Sequence, residues 1–158
     1  MSGHDNHHDE VDDLKWPDPL GPEWICTAVE TLPGHEHTLS IEHSGNPVTI
    51  VSVKRVVDTN FGLTYPSGLL DRILILAPLV PAEAIQLASE FMMDADPACR
   101  RLIIACEEGD VAAIGVAEAA GYRYVVDVDL HSGSYALLTA EPDWVLEESR
   151  NIDEVPTV

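Results

Sequence analysis

Three histidines near the N-terminus stand among carboxylates. His4, His7 and His8 are interleaved with Asp5 and Asp9, and imidazole and carboxylate groups are donor types of zinc sites. A His/Asp tract without an apolar face fixes no coordination geometry, so it binds metal ions only weakly. We interpret the tract as a solvated tail and expect no metal site.

Four other residues have the types that catalysis uses. Asp71 and Arg72 open a predicted central strand, and His131 precedes Ser132 in a predicted turn. A general base needs hydrogen-bond reach to its proton donor and a suitable pKa, and a serine nucleophile needs an oriented imidazole. The pattern around His131 does not predict a triad, and a strand-end ion pair is the favoured interpretation of Asp71 and Arg72. The sequence assigns no catalytic residue.

The charge of the chain excludes two classes of partner. Its 158 residues include 28 acids and 8 bases, which gives a net charge of −20. Nucleic-acid grooves and anionic membrane surfaces both attract clustered cations, so we expect neither as a partner. The longest apolar run, residues 73–82, contains two prolines and has about half of the roughly 20 residues of a transmembrane helix.

The cysteines and the N-terminus predict a cytoplasmic protein. Cys26, Cys99 and Cys106 are odd in number and widely spaced, which fits a reducing compartment better than a disulfide framework. Residues 1–13 are polar and acidic, whereas a signal peptide is basic and then apolar. Charge also divides the chain: we predict an acidic disordered tail over residues 1–18, one domain over 19–142 and a second acidic tail over 143–158.

The first half of the domain reads as an antiparallel meander. The predicted strands cover residues 24–32, 37–42 and 48–57, and the Pro/Gly-containing segments 33–34 and 43–47 are predicted turns.

The second half alternates strands with helices. Residues 73–77 and 102–105 are continuous apolar runs typical of buried parallel strands. Pro81 suits the first turn of a helix over residues 82–93, and Asp110 and Gly121 suit the caps of a helix over 111–120. A terminal hairpin follows, with Tyr124, Val126, Val128 and Leu130 alternating on one face of its first strand and residues 135–139 as its second. Four further residues are expected to pack rather than bind a cofactor: Tyr65, Phe91, Met92 and Met93.

Residues 110–122, DVAAIGVAEAAGY, carry a resemblance to a known family. They resemble the fourth-helix motif of the GNAT acyltransferase superfamily, Asn-x-x-Ala-Ile-x-hydrophobic-Tyr/Ala-Glu-Lys-x-Gly-Phe. The order of predicted elements is also similar to that family over residues 71–140. The resemblance implies an α/β (α+β) fold, a mixed sheet of six to seven strands with two covering helices, and acyl-CoA-dependent N-acyltransferase activity.

The resemblance also implies a cofactor, acetyl-CoA or another acyl-CoA, and its site. The implied cofactor-binding residues are Leu76, Ala77, Ala82, Glu83, Ala84, Asp110, Ala113 and Ala117. Asp110 aligns with a family Asn that contacts the pantetheine arm, although Asp is also a good helix cap. Ala117 aligns with the tyrosine proposed to protonate the leaving thiolate.

The sequence departs from the family pattern in two places. The family holds the CoA pyrophosphate with Arg/Gln-x-x-Gly-x-Gly/Ala, but residues 77–84, APLVPAEA, contain no Arg and no Gly. Two prolines there lack amide donors, and Glu83 adds negative charge. In addition, only a turn separates the first two predicted strands, so the family's N-terminal helix pair is missing.

Two functions therefore remain open. One is an acyltransferase in which an acceptor amine attacks the thioester directly. The alternative is a noncatalytic GNAT-fold module that binds a protein partner or forms a homodimer, because a sheet without its helix pair exposes an apolar face.

Overall fold

The computed structural model describes residues 17–64, 68 and 70–141. These residues form one seven-stranded mixed sheet in the order β1-β2-β3-β4-β5-β7-β6. The strands are β1 Trp24–Val29, β2 His37–His43, β3 Asn46–Arg55, β4 Arg72–Ile75, β5 Leu102–Glu107, β6 Arg123–Leu130 and β7 Gly133–Ala140. Helix α1 covers Ala82–Ala95, α2 covers Val111–Ala119, and short 3-10 helices cover Val56–Asp58 and Asn60–Leu63. The predicted α+β architecture is confirmed.

Strands β1 to β3 form the predicted meander through tight turns. The β2-β3 hairpin has a two-residue turn in which Ser44 and Gly45 have φ of 53° and 82°, as a type I′ turn requires. Between β1 and β2, residues 30–36 contain no helix, and Gly34 has φ of 81° after Pro33. The predicted absence of the family's helix pair between the first two strands is therefore confirmed. Several predicted ends were wrong: β1 ends at Val29 rather than at residue 32, β3 covers Asn46–Arg55 rather than 48–57, and β4 ends at Ile75 rather than at residue 77.

The main core lies between the sheet and both helices. On this face the strands contribute Leu39, Val51, Leu74 and Ile104, which are at most 2% exposed. Helix α1 adds Met92, and the other buried members include Ile41, Val53, Ala84, Ile85, Ala88, Leu102, Ala117 and Leu138. Met92 is buried and both Phe91 and Met93 pack against this core, which confirms their packing role, while Tyr65 lies outside the described residues.

The opposite face is covered only in part. Val56 and Phe61, from the segment after β3, pack with Ile73, Ile103 and Leu137. Further along the same face, β1 and β3 expose large apolar side chains. Ile25, Val29 and Ile50 are 48%, 41% and 54% exposed.

A β-bulge changes the predicted faces of β6. The register with β7 shifts between Tyr124 and Val126, which pair with Leu138 and Leu137 respectively. Because successive residues of a strand alternate between faces, Tyr124 lies on the helix-covered face, whereas Val126 lies on the other. The predicted four-residue stripe was therefore wrong at Tyr124, since a bulge adds one residue that alternation does not anticipate.

Candidate functional site

The two central parallel strands, β4 and β5, are hydrogen-bonded over only part of their length, and we call the line between them the seam. Their parallel pairing covers only Arg72↔Leu102 and Ile73↔Ile103. Strand β4 continues along β3 as far as the Ser52↔Ile75 pair, and β5 stays paired with β7 as far as Glu107↔Tyr135. The seam is therefore closed at the beginning of both strands and open toward their carboxyl ends.

Backbone polar groups point into the open part of the seam. The amide of Arg72 donates to the carbonyl of Arg101 across the closed end (3.1 Å), whereas the carbonyl of Asp71 accepts from Val56 on the β3 side (2.9 Å). The N–H and C=O of one residue point to the same side of a strand, and successive residues alternate. Counting from Arg72, the backbone N–H and C=O of Leu74 on β4 therefore point into the seam. Counting from Arg101 in the same way, the backbone groups of Ala105 on β5 also point into it.

The mouth of the seam is the loop that joins β4 to α1. The structure places the predicted residues Leu76 and Ala82 half-buried against the core, and Ala77 and Glu83 exposed. Ala84 is fully buried, and its amide already donates to the carbonyl of Pro81 (3.1 Å).

The start of α1 is poorly equipped to hold an anion. Pro81 is the N-cap of α1, one position before the predicted first turn, and makes no side-chain cap hydrogen bond. Leu79 is fully exposed with φ of 61°, a left-handed conformation that costs a non-glycine residue about 1–2 kcal/mol.

The second group of predicted residues lies at the start of α2. Asp110 accepts a hydrogen bond from the amide of Ala113 through Oδ1 (3.1 Å), so the structure shows it as the N-cap of α2. Ala113 is half-buried, and Ala117 is fully buried in the main core. Because β4 and β5 are parallel, the β5-α2 loop and the β4-α1 loop lie at the same end of the sheet.

Positive charge lies at the other end of the sheet. Of the eight Lys and Arg residues, Lys15 and Arg150 lie outside the described residues. Of the remaining six, Lys54 and Arg55 pair with the first residues of β4, and Arg123 pairs with a residue near the end of β7. Arg72 begins β4, and Arg100 and Arg101 directly precede β5.

The closed end of the seam is held by an ion network. Arg72, whose side chain is 5% exposed, donates from Nη2 to Asp96 Oδ2 (2.8 Å) and from Nε to Glu36 Oε1. The carboxylate of Asp71 accepts from the amide of Gly68 (2.9 Å). The predicted strand-end ion pair is confirmed for Arg72, but its carboxylate partners are Glu36 and Asp96, at the end of the strands opposite the mouth.

The remaining chemical groups form no nucleophilic or metal centre in the part of the chain that the structure describes. No three His, Cys, Asp or Glu side chains there are grouped to hold a metal ion, and His4, His7 and His8 lie outside that part. Cys26, Cys99 and Cys106 are free thiols. Burial raises the pKa of all three, that of Cys26 to about 11, so they are protonated at neutral pH.

A shallow groove lies at the closed end, on the face opposite the helices. It has a volume of about 300 Å³ and an apolar floor that includes Ile103, Val126 and Leu137. Its rim carries Arg101 and Arg123, whose guanidinium groups lie 3.7 and 3.4 Å from the carboxylate of Glu141. The groove is therefore separate from the seam.

Solved structures share this arrangement of strands and helices. An uncharacterized protein of Bacillus halodurans (bh2621) matches with a TM-score of 0.58 at 18% identity, over 72% of this chain and 62% of that chain. The aminoglycoside acetyltransferase AAC(6′)-Ib, crystallised with coenzyme A and kanamycin, matches with a TM-score of 0.59 at 15% identity, over 72% of this chain and 70% of that chain. The chain has the GNAT fold.

Comparison of structures shows the GNAT fold, whereas comparison of sequences finds no match. No protein-family model matches the chain, and no curated protein matches it. The chain also spans less than two thirds of the Bacillus halodurans protein's length. Within the described residues, no helix is long and apolar enough to cross a membrane.

Sequence reasoning did not identify the residues that face the seam between β4 and β5. Leu74 and Ala105 had no signal in the sequence, because their role comes from the backbone and from the end of a ladder between distant segments. The clustering of cations at the closed end was also missed, although the absence of Lys and Arg from residues 76–84 pointed toward it.

Proposed function

We propose that this protein is an N-acyltransferase that binds the pantetheine arm of an acyl thioester in the seam between β4 and β5. The observation that carries the proposal is the end of the ladder after Ile73 and Ile103. A pantetheine arm contains two amides, and the backbone groups of Leu74 and Ala105 are suitable partners for them. Buried backbone groups need such partners, so the arm would complete the sheet where β4 and β5 separate.

The fit differs between the two parts of an acyl-CoA. The seam suits the uncharged pantetheine arm, with Ile75 and Ala105 as apolar neighbours on the uncovered face. The mouth does not suit the diphosphate, because residues 76–84 contain no cation and include two prolines and Glu83. In the proposed reaction an acceptor amine attacks the thioester carbonyl, a C–N bond forms as the C–S bond breaks, and the amine's proton passes to the leaving thiolate.

A substitution in the seam tests this proposal. Ala105→Phe adds a large side chain beside the opening, and Ala119→Phe adds the same side chain at an exposed position of α2. We expect S-acetylpantetheine to raise the melting temperature of the native chain and of Ala119→Phe, but not of Ala105→Phe. Ligand at 100 times its Kd stabilises a protein by about 2.7 kcal/mol. If millimolar thioester neither shifts melting nor gives heat in calorimetry, the seam binds no thioester and the proposal fails.

We also propose a second candidate function, self-association as a noncatalytic module. It is favoured by the exposed side chains of Ile25, Val29 and Ile50 on the face opposite the two helices, because a sheet without the family's helix pair leaves apolar surface uncovered. Between them lie Thr27 and Ser40, which pair across β1 and β2. Two copies with a net charge of −20 each repel one another, so an interface between them must be poor in charge. The centre of this face is uncharged, and its charged residues Glu42 and Lys54 pair with Ile25 and Ile73 respectively.

Light scattering separates the two candidates. Ile50→Glu places a charge in the middle of this face, whereas Val111→Glu places one at an exposed position of α2, on the other face of the sheet. Self-association predicts a dimer that Ile50→Glu dissociates and Val111→Glu leaves intact. A native chain that is monomeric at about 100 μM argues against this second function.

A further inference from the structure

The mouth of the seam is surrounded by negative charge. Glu83 lies in the first turn of α1. Glu107 ends β5, and Glu108 and Asp110 lie in the loop that follows it, at the same end of the sheet. All four side chains are exposed. Every Lys and Arg among the described residues lies at the closed end instead. An anion that enters at the mouth therefore meets repulsion that no neighbouring cation offsets.

The backbone at the mouth offers few amides to offset these charges. Phosphate sites at helix N-termini use several free amides and the positive end of the helix dipole. Here Pro78 and Pro81 have no amide, the amide of Ala84 donates to the Pro81 carbonyl, and Glu83 opposes the dipole's attraction for a phosphate. Leu79 takes a left-handed conformation with φ of 61°, so its side chain stands where a glycine would leave the backbone accessible.

We infer that the acyl donor of this protein is an uncharged pantetheine-type thioester without a diphosphate, rather than acyl-CoA. This inference rests on the proposed function, because it assumes that the seam holds the arm. The seam and the mouth then both favour a donor without a diphosphate. The open ladder recognises the amides of the arm, and the acidic mouth rejects a nucleotide diphosphate.

Calorimetry with three probes tests the donor class. The probes are pantetheine under reducing conditions, coenzyme A, and adenosine 3′,5′-bisphosphate, each titrated into the full chain at about 20 mM and about 500 mM salt. We expect pantetheine to bind at least as tightly as coenzyme A, with an affinity that salt does not change. Coenzyme A should bind more tightly at high salt, where the Debye length falls to roughly 4 Å and screens the repulsion. The bisphosphate should not bind at either salt concentration.

A charge reversal at the mouth supplies the matched variants. Glu83→Lys changes the local charge by two units, and we expect it to tighten coenzyme A about fivefold at low salt. It should leave pantetheine unchanged. Glu118→Lys makes the same change at an exposed position near the C-terminal end of α2, which contributes to a crevice at the closed end of the sheet, and should alter neither ligand by more than about twofold.

The outcomes separate the inference from the proposed function. If pantetheine and coenzyme A both fail to bind, the seam is not a thioester site and the proposed function fails. If coenzyme A binds more than tenfold tighter than pantetheine, or loses affinity as salt rises, the mouth holds the diphosphate. The N-acyltransferase proposal then stands, and the inference about its donor is overturned.

Discussion

Arg72 anchors the closed end of the seam, and Arg72→Met measures how much stability that anchor contributes. The guanidinium donates to Asp96 (2.8 Å), to Glu36 and to the carbonyl of Leu70, and the side chain is only 5% exposed. Methionine keeps much of the apolar length of the side chain but removes the charge. The carboxylates of Glu36 and Asp96 then face a buried position without their cation.

The expected loss follows from the exposure of the two carboxylates. Removing one partner of a fully buried ion pair costs about 3–5 kcal/mol. Glu36 and Asp96 are 30% and 27% exposed, so water keeps part of their hydration, and we expect about 2–3 kcal/mol. With a urea m-value of about 2 kcal/mol/M, the midpoint of unfolding should fall by roughly 1–1.5 M.

Arg55→Met is the matched control, because Arg55 pairs directly with Arg72 across β3 and β4. Its guanidinium lies 3.9 Å from Asp58, and the two side chains are 38% and 68% exposed. An exposed pair of this kind contributes less than about 1 kcal/mol. If urea unfolding shows that Arg72→Met loses no more stability than Arg55→Met, then burial does not make the network a strong anchor, and our reasoning is refuted.

Three further substitutions test the packing that holds the site. Tyr122→Phe removes a buried hydroxyl 2.6 Å from Ser89 Oγ and should cost about 1 kcal/mol. Because burial raises the pKa of Tyr122, native stability should fall as pH rises above about 10, and urea unfolding between pH 9 and 11 should show a shallower fall in the variant. Met92→Ala empties a fully buried position and should cost about 3 kcal/mol in the same assay, whereas a loss below about 1 kcal/mol would contradict its place in the core. Asp110→Ala removes the hydrogen bond that Asp110 accepts from the amide of Ala113 and should lower the free energy of unfolding by about 1 kcal/mol. An unchanged free energy of unfolding would show that this cap does not stabilise α2.

Local patterns predicted most of the elements. The 3.6-residue stripe of α1, the Asp110 cap of α2 and the turns at Pro33 and Ser44 each depend on residues a few positions apart. Such patterns are visible in a sequence because helix periodicity, capping and turn conformations are local. The same locality explains the errors, since the bulge before Val126 and the 3-10 helix at Val56 depend on packing against other segments.

The sequence by itself determined that this chain forms a mixed sheet with two covering helices, that only a turn separates its first two strands, and that residues 77–84 contain no Arg and no Gly. The elements follow from short-range spacing, and their assembly into one sheet was what the resemblance to the GNAT family implied. Only the tertiary structure decided that the ladder between β4 and β5 ends after two residue pairs, and that every described cation lies at the closed end. Both depend on which strands become neighbours and in what register, and long-range pairing of that kind is set by the burial of whole faces rather than by any local signal.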